Sequence, residues 1–137
     1  MKINQETDYA IRIMMRLCNS TGVSTGHDIS DEMAIPLRFT LKILRKLSLC
    51  GLVKSQRGVN GGYITALSAD QISLKSIIEA IEGPLYINKC LDPDAECNRI
   101  TEKNECPIHN EFQKVNSLLH SAFDDITLDK FMTAAKT

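Results

Sequence analysis

The sequence predicts a mainly α-helical fold that contains one small β-hairpin and ends in a long helix. Two observations support this class. Apolar residues recur at helical spacing in most segments, and only two short β-prone runs, separated by an Asn-Gly turn, interrupt that pattern. With 137 residues, 43% hydrophobic and 24% charged, the chain can bury one modest core and carry an appended helix. Its apolar runs are shorter than a membrane span, so we expect no membrane partner.

The first two helices are predicted from a capping residue and from apolar spacing. Asn4 can cap a helix that ends near residues 19–22, because its apolar residues repeat at i, i+3, i+4 and i+7: Ala10, Ile13, Met14 and Leu17. A second, shorter helix fits residues 27–33. The Ala34-Ile35-Pro36 turn then leads into a third helix.

The third helix is predicted to be amphipathic and basic. Pro36 suits its first helical position, and Cys50-Gly51 ends it. The expected buried face consists of Leu37, Leu41, Ile43, Leu44 and Leu47. Three cations recur at i, i+4 and i+7 on another face: Arg38, Lys42 and Arg45.

A hairpin follows the third helix. Residues 52–55 and 63–67 are β-prone, and the segment between them contains Asn60-Gly61, the strongest short hairpin signal. Three helices followed by a hairpin with Arg57 at its tip predict a winged helix-turn-helix domain.

This order of elements predicts a DNA-binding surface. The third helix would enter the major groove and present Arg38, Phe39, Thr40 and Lys42, while Arg57 and Asn60 would lie at the wing. A basic helix face alone is usually only solvated, but residues 1–67 carry nine Lys and Arg against five Asp and Glu. Residues 68–137 carry seven against twelve, so the basic half is the one expected to face a polyanion.

Two further helices are predicted after the wing. Ser73 caps the fourth, whose apolar face is closed by Gly83-Pro84 and consists of Leu74, Ile77, Ile78 and Ile81. Pro107 opens the long helix, in which apolar residues alternate spacings of four and three: Ile108, Phe112, Val115, Leu119, Ala122 and Ile126. Thr127 then caps a short final helix with Leu128, Phe131 and Met132.

The apolar seam of the long helix has two interpretations. It can pack on a second copy of the chain, which gives a two-fold homodimer suited to a palindromic DNA site, or on the first helix of its own chain. We favour the homodimer, because the helix is longer than one small domain needs to cover its core.

A polar loop that carries three cysteines and a histidine precedes the long helix. Cys90, Cys97, Cys106 and His109 follow the spacing C-x6-C-x8-C-x2-H. Thiolates and imidazole are ligands of iron–sulfur clusters, zinc and copper, and a bound metal can order a loop that burial cannot. Structural zinc sites usually have close pairs of the C-x2-C kind, and only the Cys106 to His109 end resembles one, so the spacing leans towards a cluster without deciding between the two.

Disulfides are the less favoured use of these thiols. The N-terminal segment is charged and amphipathic rather than a secretory signal, and five cysteines is an odd number, so we expect a reduced, cytoplasmic protein. Cys18 and Cys50 lie at helical positions outside the loop and are expected to be packing residues.

Three segments together resemble one known family. These are Thr7-Asp8-Tyr9-Ala10-Ile11-Arg12, the run from Gly51-Leu52-Val53 to Arg57-Gly58-Val59-Asn60-Gly61-Gly62-Tyr63, and the cysteine trio. Over nearly its whole length the chain resembles the bacterial winged-helix iron-sulfur regulators that include IscR, NsrR and RirA. The resemblance implies a homodimer whose long helices cross, three cysteines and a fourth ligand on each cluster, and DNA affinity set by cluster state.

The resemblance leaves two candidates for the fourth ligand. His109 matches the ligand of the IscR type, which carries a [2Fe-2S] cluster, whereas Asp8 matches the position from which NsrR-like members donate a carboxylate across the dimer to a [4Fe-4S] cluster. We favour His109 and a [2Fe-2S] cluster, because Cys-Pro-Ile-His places the imidazole one turn from Cys106 at a helix start. Asp8 can also be an ordinary first-turn helix carboxylate.

The predicted organisation is a winged helix-turn-helix domain over residues 1–83, a cluster-ligand loop over 84–106, and a dimerisation helix with a short terminal helix over 107–137. The predicted function is DNA-binding transcription regulation, expected to be repression, controlled by an iron-sulfur cluster that senses iron, nitric oxide or redox state. The alternative is the same regulator with a structural zinc or a thiol-oxidation switch. An enzyme is disfavoured, because no Ser-His-Asp or Cys-His catalytic pair can be supported.

Overall fold

The structure is a computed structural model that describes residues 2–99 and 102–132. The helices and strands, in chain order, are α1 Gln5–Cys18, α2 Gly26–Met33, α3 Leu37–Leu49, β1 Val53–Gln56, β2 Gly62–Thr65, α4 Leu74–Glu82 and α5 Pro107–Asp124. Within these residues, short 3₁₀ helices occupy Ala69–Gln71, Lys89–Leu91, Lys103–Glu105 and Leu128–Phe131. The predicted mainly α-helical class with one two-stranded hairpin is confirmed.

Side-chain caps begin three of the helices. Asn4 Oδ1 accepts the Thr7 backbone N–H at 2.8 Å, and Ser73 Oγ accepts that of Ser76 at 3.1 Å. Each cap satisfies a donor that the helix leaves without a partner in its first turn. Thr25 performs the same role for α2, which therefore begins one residue earlier than predicted.

The core of the winged domain joins α1, α2, α3, β1 and α4. The predicted stripe of α1 is fully or almost fully buried, and it contacts apolar residues of the other elements: Ile29, Ile43, Leu44, Leu47, Val53, Ile72 and Ile77. Burial of these side chains provides the main favourable free energy of folding in this half of the chain.

The turn between α2 and α3 is held by a left-handed residue and a buried hydrogen bond. Ala34 has φ 56° and ψ 46°, and the Ser30 hydroxyl donates to the Ile35 carbonyl at 2.5 Å. Pro36 lies one position earlier than predicted, since it is the N-cap of α3 rather than its first helical residue.

The hairpin is antiparallel and is anchored to the segment before α2. Val53 pairs with Thr65 and Gln56 with Gly62, and Tyr63 also exchanges both backbone hydrogen bonds with Ser24. A Cβ on Gly62 would lie 2.4 Å from the Ser24 carbonyl oxygen, so this position has no space for a side chain. The wing is therefore fixed against the helix-turn-helix unit.

The long helix α5 packs against α4 but has no buried residue among those described. After it the chain returns to the winged domain, where Leu74 N–H donates to Ile126 and Leu128 N–H donates to Ile72, at 2.7 and 3.0 Å. Leu128 is 0% exposed within the core. The predicted final helix is one turn of 3₁₀ helix, Leu128–Phe131.

The predicted domain boundaries at residues 83/84 and 106/107 stay predictions, and the last of the three segments extends beyond the described residues. Within residues 2–99 and 102–132, every helix is too short or too polar to cross a membrane.

Candidate metal centre and nucleic-acid interface

The ligand loop, defined as residues 84–106, brings the three predicted sulfur ligands to one cavity. The cavity has a volume of about 140 Å³ and is lined by Cys90, Cys97, Cys106, His109, Arg99 and Lys103, among others. An open cleft on the same loop is also lined by Cys90, Cys97 and His109. The predicted thiol and imidazole groups are therefore neighbours, and the cavity that they share is close to solvent.

Each of the three sulfur atoms accepts a hydrogen bond from the loop. Asn88 Nδ2 lies 3.1 Å from Cys90 Sγ. Arg99 contacts the other two, since its backbone N–H is 3.5 Å from Cys97 Sγ and its guanidinium is 3.0 Å from Cys106 Sγ. Hydrogen bonds of this kind stabilise sulfur as an anion and tune any metal that it ligates.

Lys103 holds the two sides of the loop together. Its ammonium group donates to the backbone carbonyls of Asp92 and Ala95, at 2.9 and 2.5 Å. Because few of the described loop residues are buried, these polar contacts rather than apolar packing define the shape of the loop.

Cys106 occupies the N-terminal end of α5, where the backbone favours an anion. The backbone N–H of His109 lowers the pKa of Cys106 most, and the N–H of Ile108 and the guanidinium of Arg99 lower it further, against the opposing effect of desolvation. A helix N-terminus carries a partial positive charge and commonly has this effect on a thiol. The structure therefore stabilises Cys106 as a thiolate, the form in which cysteine ligates a metal.

His109 contributes a nitrogen to the same cavity. Its Nδ1 atom is buried and has no hydrogen-bond partner among the described residues. Neutral imidazole nitrogen is a common ligand of iron, zinc and copper. Three thiols and this nitrogen are chemically suited to a cluster or a metal ion. In residues 2–99 and 102–132, however, no three His, Cys, Asp or Glu side chains converge to metal-binding distance.

Asp8, the alternative fourth ligand, lies in the first turn of α1. Its carboxylate forms an ion pair with Arg12 at 2.7 Å, and its side chain is 51% exposed. Asp8 does not line the cysteine cavity of its own chain. Ligation by this residue would therefore require the partner subunit.

The two remaining cysteines lie outside the cavity and differ from each other. Burial raises the pKa of Cys18 to about 11, and its side chain packs against the core. Cys50 ends α3 and is exposed, so its predicted packing role is wrong.

The outer face of α3 is basic and exposed. Arg38, Lys42 and Arg45 are all exposed, and the helix contains no acidic residue. The Arg38 guanidinium lies 5.3 Å from the centre of the Phe39 ring, which is itself 39% exposed. This face can accept a polyanion and still offer apolar contacts.

Thr40 is not part of that face, and its predicted contact with DNA is wrong. The side chain is 0% exposed, and its hydroxyl donates to the Pro36 carbonyl at 3.2 Å. Leu41 was expected in the buried stripe, yet it is 43% exposed. Thr40 therefore belongs to the buried face of α3 and Leu41 to its exposed face, the reverse of the prediction.

The wing presents its tip to solvent. Arg57, Val59 and Asn60 are exposed, and Val59 is as accessible as in an extended chain, at 104%. The tip therefore combines a cation, an amide and an apolar side chain that the fold itself does not use.

Two sets of contacts connect the ligand loop to the helices around it. The Leu85 carbonyl, at the start of the loop, accepts from Asn116 Nδ2 and contacts His120 Nε2, at 3.3 and 2.5 Å. At the end of α4, the Glu82 carboxylate accepts the buried Thr7 hydroxyl of α1 at 2.5 Å. The loop is thus tied to α5 directly and to α1 through α4.

Comparison with protein families agrees with these features. The model of the Rrf2 family, described as an iron-dependent transcriptional regulator, matches residues 3–134. The chain belongs to the Rrf2 family.

Relatives in this family are named as HTH-type transcriptional regulators. An HTH-type transcriptional regulator of Haemophilus influenzae is 33% identical over 93% of this chain and 84% of its own length. The HTH-type transcriptional regulator IscR of Vibrio atlanticus is 30% identical over 96% of this chain and 75% of its own length. The chain is therefore a transcriptional regulator, and these names accord with the expectation of a non-enzyme.

Solved structures show the same Rrf2 fold. CymR, the global cysteine regulator of B. subtilis, has a TM-score of 0.75 at 24% identity and covers 100% of this chain and 98% of its own. T. potens IscR has a TM-score of 0.71 at 24% identity over 94% of this chain and 84% of its own.

Three residues of this Rrf2 site were missed by sequence reasoning: Asn88, Arg99 and Lys103. A signal for two of them was present, since Arg99 and Lys103 are cations within a loop of mainly acidic charged residues, next to the cysteines. A charge of the opposite sign beside predicted anionic ligands favours a role at the site.

Proposed function

We propose that this protein is a homodimeric, DNA-binding regulator, acting as a repressor, whose operator affinity is controlled by an iron-sulfur cluster. Cys90, Cys97 and Cys106 would hold the cluster with His109 as the fourth ligand. The observation that carries the proposal is the shared cavity, in which all three sulfurs accept N–H groups and His109 Nδ1 is buried without a hydrogen-bond partner in residues 2–99 and 102–132. Such a cluster would supply a group that responds to iron supply, nitric oxide or redox state.

The donor set supports a [2Fe-2S] cluster over structural zinc. Structural zinc sites typically use closely spaced pairs of ligands, whereas Cys90 and Cys97 are seven residues apart in sequence and only Cys106 and His109 form a close pair. Hydrogen bonds to the sulfurs are a main means by which proteins tune cluster potentials, and in the described part of this loop each of the three sulfurs accepts one.

DNA binding is proposed for the outer face of α3 and the tip of the wing. The proposed contacts are Arg38, Phe39 and Lys42 in the major groove, with Arg57 and Asn60 at the backbone or minor groove. All five are exposed and lie in the basic half of the chain. Phosphate contacts by the cations would set affinity, and contacts to base edges would set specificity.

The homodimer is proposed to form through α5. Four apolar side chains on this helix are exposed in the single chain: Ile108 at 57%, Phe112 at 38%, Val115 at 51% and Leu118 at 72%. They recur at spacings of four and three, so they form one stripe along the helix. Leu118 was not part of the predicted seam. A second copy would cover the stripe and match a palindromic operator.

Communication between the halves is proposed to run through the contacts at the N-terminal end of the ligand loop. Asn116 and His120 of α5 hold the Leu85 carbonyl, and Glu82 holds Thr7 beside the winged core. Order in the loop would thereby change the relative stability of two arrangements of α5 and α1, which is all that coupling between sites requires.

A second candidate function replaces the cluster with a zinc ion or a thiol switch on the same fold. The lowered pKa of Cys106 favours it, because a thiolate reacts with oxidants and binds zinc. The two candidates share the DNA-binding half and differ only in what the loop holds.

Anaerobic purification separates them. A visible absorption spectrum together with iron and sulfide in equal amounts supports the cluster, whereas a colourless protein with zinc supports the alternative. A protein that holds no metal and whose DNA affinity does not change on mild thiol oxidation contradicts both.

A pair of substitutions identifies the fourth ligand. His109→Ala is expected to change the visible spectrum, while Asp8→Ala is expected to leave it unchanged. The reverse result would assign the fourth ligand to Asp8 of the partner subunit.

A further inference from the structure

Leu41 is an apolar side chain on a cationic, solvent-facing surface. It follows Arg38 by three residues and precedes Arg45 by four, so the three share one face of α3. Leu41 is 43% exposed, whereas Ile43, Leu44 and Leu47 of the same helix are 0% exposed. The core is thus complete without it, and part of the Leu41 side chain remains accessible to a binding partner.

The position of the Leu41 side chain is set by α2. A Cβ on Gly26, the first residue of α2, would lie 2.7 Å from Leu41 Cδ2. Gly26 has no left-handed φ, so its backbone conformation does not require glycine. The glycine provides space instead, and the end of the leucine side chain rests in that space at the junction of α2 and α3.

The charges around Leu41 select the kind of molecule that can cover it. Arg38, Lys42 and Arg45 surround it on α3. Among the described residues, the ion pair that these cations form is that of Lys42 with Glu6, at 3.8 Å. A membrane or an apolar protein surface would have to desolvate these cations, whereas a nucleic-acid duplex would neutralise them. Charge therefore favours a duplex as the occupant.

A duplex offers one apolar group in its major groove, the C5-methyl group of thymine. The Leu41 side chain has no donor or acceptor, so it cannot recognise the polar edges of the bases. We propose that Leu41 packs on a thymine methyl group and so selects thymine at one position in each half of the operator. This inference rests on the DNA binding proposed above and adds to it the base that one residue reads.

The test uses a duplex selected from a random pool by the wild-type protein. Each thymine of that duplex is then replaced singly by deoxyuridine, which removes only the methyl group, and the Kd is measured by fluorescence anisotropy at one salt concentration. We expect one thymine in each half-site at which removal weakens wild-type binding by about fourfold, the effect of one buried methyl-sized group. At that position Leu41→Ala should bind the two duplexes equally, because the coupled partner is gone.

Three further variants make the test specific. Leu49→Ala removes a side chain that is 78% exposed at the other end of α3, and it should keep the fourfold preference. Leu41→Met should keep most of the preference, since it remains apolar. Gly26→Ala should reduce it, because the added methyl group displaces Leu41; circular dichroism confirms that each variant is folded.

Two results would overturn the inference while DNA binding stands. One is equal wild-type affinity for thymine and deoxyuridine at every position of a specific duplex. The other is a methyl preference that persists in Leu41→Ala, which would assign it to another side chain such as Phe39. Failure of the wild-type protein to select any duplex would instead contradict the proposed DNA binding itself.

Discussion

The winged half and the ligand loop are held together by different interactions. In the winged half, α1, α3 and α4 contribute fully buried apolar side chains, among them Ile13, Leu44 and Ile77. In residues 84–99 and 102–106, only Leu85 and Cys106 are buried, and the loop is shaped by hydrogen bonds to sulfur and to carbonyl oxygen. One region is stable by its own burial, while the other depends on polar contacts that a ligand can strengthen or remove.

The largest expected effect comes from removing one thiol of the ligand loop, which should abolish cluster binding and leave the winged half folded. Cys97→Ser should abolish iron and sulfide binding, because an iron left with an incomplete ligand set is open to hydrolysis. The far-ultraviolet circular dichroism of the protein should be unchanged, because its α-helices lie outside the ligand loop. Cys18→Ser and Cys50→Ser are the matched controls, and full iron and sulfide in Cys97→Ser would contradict the ligand assignment.

The apolar stripe of α5 gives the second effect. Leu118→Glu should convert the dimer to a monomer and weaken operator binding on the order of a hundredfold, because a dimer gains the effective concentration of its second half-site. Light scattering gives the mass, and anisotropy gives the Kd. Ser117→Glu adds the same charge on the opposite side of the helix and should remain a dimer; a dimeric Leu118→Glu would show that the stripe is not the interface.

Arg99 tests whether the polar contacts of the loop stabilise a bound cluster. Arg99→Ala removes the hydrogen bond to Cys106 Sγ, and the rate of iron release to a chelator should rise about tenfold under anaerobic conditions. Arg38→Ala, which removes the same charge from α3, should release iron at the wild-type rate. Identical release rates for the wild type, Arg99→Ala and Arg38→Ala would show that Arg99 does not stabilise a bound cluster.

Arg57 tests the other region alone. Arg57→Ala should weaken duplex binding, and the slope of log affinity against log salt concentration should fall by about one unit if one phosphate contact is lost. Cluster content should not change. Lys114→Ala removes an exposed cation of α5 as the control, and an unchanged salt slope in Arg57→Ala would exclude a phosphate contact by the wing.

The smallest effect is on the stability of the helix-turn-helix turn. Ala34 has a positive φ of 56°, which is strained for a residue with a Cβ. Ala34→Gly should therefore raise the free energy of unfolding of the apoprotein by about 0.5–1 kcal/mol, measured by urea denaturation at one protein concentration. Ala80→Gly, inside α4 and packed against the core, should lower it by at least a similar amount, and equal signs for the two changes would contradict this account.

Much of the winged half was predictable because its signals are local. Asn4 and Ser73 gave the first residues of α1 and α4, and Gly83 gave the end of α4, whereas α1 ends at Cys18, before the predicted range 19–22. The errors came from contacts between distant segments. Burial of Thr40, exposure of Leu41 and the return of Leu128 to the core depend on how helices meet, which helical spacing along one segment does not specify.

The candidate site was predictable in its donors but not in its surroundings. Cysteine and histidine are rare enough in a polar loop to stand out, so Cys90, Cys97, Cys106 and His109 were identified by residue type. The contacts of Arg99 with two sulfurs depend on the fold of the loop and are absent from any motif.

The paired backbone hydrogen bonds between Ser24 and Tyr63 join the wing and the helix-turn-helix unit into one rigid unit. Ser24 also accepts from Arg16 at 3.0 Å, and Arg16 in turn holds Glu32 of α2, so the segment that anchors the wing is braced against both α1 and α2. The separation between the tip of the wing and α3 is therefore a constant of the fold. For the DNA contacts proposed above, this fixed separation predicts that a base pair inserted within one half of an operator would put either the α3 contact or the wing contact out of reach.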